Sequence, residues 1–101
     1  MNSFERFSEP VLFILISLAE GNKHGYAIME DIEKCYAVKI GPGTLYGAIS
    51  RMEKLKFIEA IPSKDRRKPY QITSAGRAYL QEKLREIDTV TQLGFKRLGL
   101  Q

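Results

Sequence analysis

The densest run of chemistry-bearing side chains is Lys64-Asp65-Arg66-Arg67-Lys68, in which four cations occupy five positions. Fixed positive charge at that density neutralises phosphates and positions a polyanion without reading its sequence. A second set, Thr44, Tyr46, Gly47, Ser50, Arg51 and Lys54, recurs at spacings that leave one side of a helix small in front and polar at its edges. Small residues let a helix approach a groove closely, and the Arg51 fork suits a guanine edge or a phosphate. Tyr46 lies about 100° from the apolar Leu45, so it serves equally as a groove contact or as packing against a neighbouring element.

Other chemistries lack their residues. His24 is the single histidine and Cys35 the single cysteine, so a zinc site would need carboxylates alone to complete it. His24 reads as a structural residue at a helix start, and Cys35 as a small buried hydrophobe. Gly41-Pro42-Gly43-Thr44 has no following Gly-Lys-Ser/Thr and no preceding strand, which argues against a nucleotide cradle and leaves DNA phosphate as the better anion. Glu30 with Asp31, and Glu82 with Glu86, fall on solvent faces. No catalytic residues, metal ligands or cofactor are expected, and the chain is not read as an enzyme.

The elements that must position the two sets follow from apolar period. Pro10 to Glu20 is a helix, with Ser8 and Glu9 before it and Gly21-Asn22 after it. It is apolar on nearly every side and must be covered. After a turn at Gly21 to Lys23, His24-Gly25-Tyr26 leads into a second helix whose stripe is Ile28, Met29, Ile32, Cys35 and Tyr36, with Glu30, Asp31, Glu33 and Lys34 facing water. Ala37 to Gly41 joins it to a helix starting at Pro42, where a missing amide hydrogen costs nothing. Leu45, Ala48, Ile49 and Met52 form the core face of that third helix. Gly43 and Gly47 face the other way at about 1 kcal/mol each against alanine, so packing or close approach must explain them.

Beyond Leu55 the period becomes alternating, with Phe57 to Ile61 and Pro69 to Thr73 as two strands around the basic loop Pro62 to Lys68. A basic hairpin beside a candidate recognition helix has the form of a wing. Thr73 or Ser74 caps a long last helix from Ala75 into the nineties, striped by Leu80, Leu84, Ile87, Thr91, Gly94 and Leu98 with Phe95 beside it. One subunit has little left to cover that stripe, so a homodimer is expected. The fold class is therefore mainly α with a small β-hairpin: a winged helix-turn-helix over residues 1–74 and a C-terminal dimerisation helix over 75–101.

Composition agrees. The 101 residues make one domain, and the formal charge of +4 suits a polyanionic partner. A lone cysteine and no recognisable leader point to a reducing, cytoplasmic setting. Val11 to Leu18 falls short of the roughly 18 apolar residues that cross a bilayer, so no membrane partner is expected.

His24-Gly-Tyr26, Pro42-Gly-Thr-Leu-Tyr46, Arg51-Met-Glu53, Phe57-Ile-Glu59 and Arg66-Arg-Lys-Pro-Tyr-Gln-Ile-Thr-Ser-Ala-Gly76 together resemble the PadR family of bacterial transcriptional regulators. The resemblance covers roughly residues 10 to 80, and the short tail is similar to the small-tailed subgroup. It implies a dimeric repressor on inverted-repeat double-stranded DNA, released by a small, often aromatic effector that differs among members. The implied DNA contacts are Thr44, Tyr46, Gly47, Ser50, Arg51 and Lys54 on the helix and Lys64, Arg66, Arg67 and Lys68 on the wing. An effector cavity at the subunit seam would be lined by Phe4, Phe7, Phe13, Tyr79 and Phe95, for which plain interface packing is the equal alternative. The sequence departs from the family at Lys56-Phe57, where a glycine often closes the recognition helix. A winged-helix module binding protein rather than DNA is the alternative function.

Overall fold

The computed structural model describes residues 10–100. Ser8 and Glu9, read as the start of the first helix, and Phe4 and Phe7, read as cavity lining, lie outside the described residues. α1 (Pro10–Glu20) is the hub that an all-round apolar helix has to be. Ile14 and Leu15 are fully buried and Leu18 nearly so. Around it pack α2 (Gly25–Tyr36), α3 (Pro42–Lys54), α4 (Ser74–Leu98) and the strand β3 (Pro69–Ile72).

α2 begins where the His24 side chain caps it, Nδ1 accepting the Ala27 amide hydrogen at 3.3 Å. It ends at Ala37, whose φ of 57° turns the chain toward α3. Its buried stripe is narrower than the sequence spacing implies. Ile28 and Ile32 are buried and Tyr36 continues their line to stack on Phe13, ring centroids 4.3 Å apart. Cys35, one residue off that line, is exposed and not a core residue. Asp31 does not face open water either. It is half-buried, 3.6 Å from the Lys23 ammonium, which also pairs with Glu20 at 3.0 Å and donates to the Ser17 carbonyl. In the α2–α3 connection Val38 is only 2% exposed, so the link is pinned to the core.

α3 buries Leu45, Ala48, Ile49 and Met52 and no other residue, as its period requires. Its end is a Schellman closure: Lys56 N–H donates to Glu53 O and Phe57 N–H to Met52 O, both at 3.0 Å. Lys56 takes the left-handed position with φ of 64°, where glycine would avoid a cost of about 1 kcal/mol. The Thr73 hydroxyl donates to Lys56 O at 2.6 Å and helps hold that turn.

The sheet has three strands, not the two of a simple hairpin. β2 (Ile58–Ala60) pairs antiparallel with β3, and on the other side of β3 lies β1 (Lys23–His24), giving the order β1-β3-β2. Lys23 faces Tyr70 and His24 faces Pro69. A two-residue strand is too short to show a period, so the sequence reading takes it as part of a turn.

Thr73 is the α4 cap, its hydroxyl oxygen accepting from Gly76 N–H at 3.0 Å. Gly76 is buried so closely that a methyl there would overlap the Phe57 carbonyl. Leu80 is the last core residue of α4. Beyond it Leu84, Ile87, Leu93, Phe95 and Leu98 stand exposed along the rest of the helix.

Candidate nucleic-acid interface

The exposed face of α3 carries Thr44, Tyr46, Gly47, Ser50, Arg51 and Lys54. At 100° per residue these positions span an arc of roughly 160°, from Tyr46 at one edge to Arg51 and Thr44 at the other. In its middle, a Cβ added at Gly43 would meet nothing within 4 Å, and one at Gly47 would meet only the Arg51 guanidinium at 3.9 Å. Neither glycine has a positive φ. Nothing among the described residues therefore requires glycine at either position, and packing against them does not explain the two glycines.

Tyr46 marks the edge next to the wing. Its ring lies over Gly25, where an added methyl would overlap the phenol, and its side chain remains 48% exposed. It is neither core nor free. It lines a cleft of about 280 Å³ together with His24, Tyr26, Arg66, Arg67 and Lys68. The short strand β1 makes this possible by fixing His24 against the base of the wing at Pro69.

The wing is held at its base by Ile61 N–H donating to Pro69 O at 2.9 Å, and inside the loop by Asp65 N–H donating to Ser63 Oγ at 3.1 Å. Lys64, Arg66, Arg67 and Lys68 are all exposed. Among the described residues none of the four is in an ion pair, although Asp65 sits between them. Their charge is thus available to an external anion. The structure brings Tyr46 together with Arg66, Arg67 and Lys68; Lys64 and the remaining α3 residues do not line that cleft.

The sequence pattern described as the transcriptional regulator PadR-like family matches residues 14–82. The chain belongs to the PadR-like family. As a PadR-like transcriptional regulator it is a DNA-binding protein and not an enzyme. Among solved structures, a transcriptional regulator from Clostridium thermocellum is 28% identical, with a TM-score of 0.78 over 95% of this chain and 96% of that one. A PadR family transcription regulator from Clostridium difficile reaches a TM-score of 0.81 over 90% of this chain and 99% of that one, at 24% identity, a likeness of fold. An uncharacterized 37.1 kDa protein in transposon TN4556 of Streptomyces fradiae is 38% identical over 76 residues, and the match spans 75% of this chain but 22% of that protein. Uncharacterized protein X of Lysinibacillus sphaericus is 35% identical over 86 residues, 79% of each chain.

In this PadR-like chain a second cavity lies away from α3 and the wing. Leu12 of α1 and Tyr79, Ile87 and Val90 of α4 line a mostly apolar groove of about 660 Å³. Tyr79 stacks on Phe57 at 4.5 Å, with the Lys83 ammonium 5.6 Å from its ring centre. Phe13 and Phe95 do not line it: Phe13 is engaged with Tyr36, and Phe95 is nearly half-exposed further along α4. No helix among the described residues is long and apolar enough to cross a membrane.

Proposed function

We propose that the chain is a homodimeric repressor that reads an inverted-repeat operator through the exposed face of α3 and the basic wing. The observation that carries this reading is the open Gly43–Gly47 face beside four cations without an intramolecular ion pair among the described residues. Two helix glycines cost stability, and approach to a groove wall is the return for that cost. In this reading Thr44, Tyr46, Gly47, Ser50, Arg51 and Lys54 lie at the groove, and Lys64, Arg66, Arg67 and Lys68 neutralise phosphates. Residues 1–74 act as the DNA-binding unit and 75–101 as the dimerisation helix. The exposed apolar residues of α4 support pairing with a second copy, which sets two reading helices on a two-fold DNA site. The groove at Leu12 and Tyr79 then opens toward the seam and offers a place for an apolar effector.

A DNA titration at several salt concentrations, with the region upstream of the gene, tests the reading. Affinity is expected to fall steeply with salt. Replacing Arg66, Arg67 and Lys68 with alanine should flatten the slope by roughly one unit for each phosphate no longer neutralised. An unchanged slope would remove the wing from phosphate binding.

A further inference from the structure

His24 Nδ1 accepts the Ala27 amide hydrogen at 3.3 Å, so in a neutral ring the remaining hydrogen is on Nε2. Arg67 Nη1 stands 3.5 Å from that Nε2, and a guanidinium nitrogen has only hydrogens to offer. Two donors therefore face each other, and neither satisfies the other. They open into the cleft of about 280 Å³ that Tyr26, Tyr46, Arg66 and Lys68 also line, with no carboxylate among the described residues of its walls. Among the described residues those four side chains have no hydrogen-bond or ion-pair partner. An acceptor between His24 and Arg67 resolves the conflict, and an anion there also meets the surrounding positive charge.

We propose that this cleft is the seat of one DNA phosphodiester, accepting from His24 Nε2–H and Arg67 together, with the Tyr26 and Tyr46 phenols beside it. The proposal rests on the DNA-binding reading above and adds His24 and Tyr26 to the residues that touch DNA. The cleft lies just under the range of about 300–1,000 Å³ usual for organic ligands, which suits a compact anionic group. Tyr46 is at the edge of the α3 face, so a phosphate fixed here sets how α3 enters the groove while reading no base itself.

The test replaces single phosphates of the bound upstream DNA, one at a time, with uncharged methylphosphonates. Wild-type protein should lose affinity at each phosphate that the wing neutralises, and at one of these per half-site the loss should depend on His24. His24→Ser keeps an oxygen at the cap and so keeps the fold, verified by its melting temperature. It should bind unmodified DNA roughly three- to tenfold more weakly and lose less affinity than wild type when the phosphate at that position is substituted. Because a neutral donor releases no counterion, its salt slope should match wild type, whereas Arg67→Gln should lower the slope by about one. Tyr26→Phe and Tyr46→Phe, which remove only hydroxyls, should weaken binding at the same phosphate. Wild-type affinity in His24→Ser and both phenylalanine variants would overturn the seat while leaving DNA binding intact. So would inorganic phosphate bound by the free protein with no effect on DNA affinity at constant ionic strength, which would assign the cleft to a free anion. Wild-type protein that fails to bind DNA at all would instead overturn the reading on which the seat depends.

Discussion

Asp31 shows how far one side chain departs from its helical period. It belongs to a run of charges on α2, yet the fold tucks it beside α1. The nearby Ser17 hydroxyl, buried but outside hydrogen-bonding geometry, the Lys23 ammonium at 3.6 Å and the Cys35 thiol together hold its carboxyl below the ordinary aspartate value, against opposing desolvation. A carboxyl with a lowered folded pKa stabilises the fold above the unfolded value and loses that contribution as pH falls through the folded one. Asp31→Asn is therefore expected to cost ~1 kcal/mol at neutral pH, and the difference from wild type should close below about pH 4. Denaturant titrations at neutral and acid pH measure this; an equal cost at both would mean that shape, not charge, matters. The same pairing bears on Cys35. Its thiol donates to Asp31 Oδ1 at 3.5 Å, and desolvation followed by the Asp31 charge pushes its pKa up. Exposure alone does not make this cysteine a reactive thiolate.

Among the elements, α3 and the start of α4 use glycine for opposite reasons. Gly76 is closed in by the Phe57 carbonyl and the Ile72 side chain. Gly76→Ala should force the helix off the strand and destabilise the fold by about 1–3 kcal/mol. Gly47 opens outward, so Gly47→Leu should leave the fold intact or raise its stability by up to ~1 kcal/mol. The same variant should impair DNA binding. Thermal melts and a DNA titration on both variants separate the two roles, and normal DNA affinity in Gly47→Leu would refute close groove approach. Lys56 is the departure that the family pattern makes visible in sequence. The Schellman hydrogen bonds and the Thr73 hydroxyl hold its carbonyl and amide in place without a glycine, so the fold is kept at a modest conformational cost.

At the level of the whole molecule, the chain extends 54 Å along its longest axis against 20 Å along its shortest. α4 is the long element, about 37 Å at 1.5 Å per residue, and α1 covers only its first part. Leu84, Ile87 and Val90 are 43%, 48% and 73% exposed, more apolar surface in one stripe than a solitary subunit has use for. If a second copy covers it, Ile87→Glu should shift the protein to monomer at concentrations where wild type is dimeric. It should also lower affinity for the two-fold site far more than for a single half-site. Sedimentation or light scattering, paired with titrations on full and half sites, reads both; a monomeric wild type would sink the dimer.

The apolar period alone determined α1, the core face of α3, the β2–β3 hairpin and the long α4, because each depends on neighbours within a turn or two of the same chain. The exposed cations of the wing were legible for the same reason: charge density is a local property. Only the tertiary structure decided what lies between elements. It paired Lys23-His24 with β3, turned Cys35 outward and Asp31 inward, and laid Tyr46 over Gly25. Above all it set His24 against Arg67, 43 residues away in sequence. No periodicity encodes that meeting, since it depends on a two-residue strand whose register is set by the partner across the sheet.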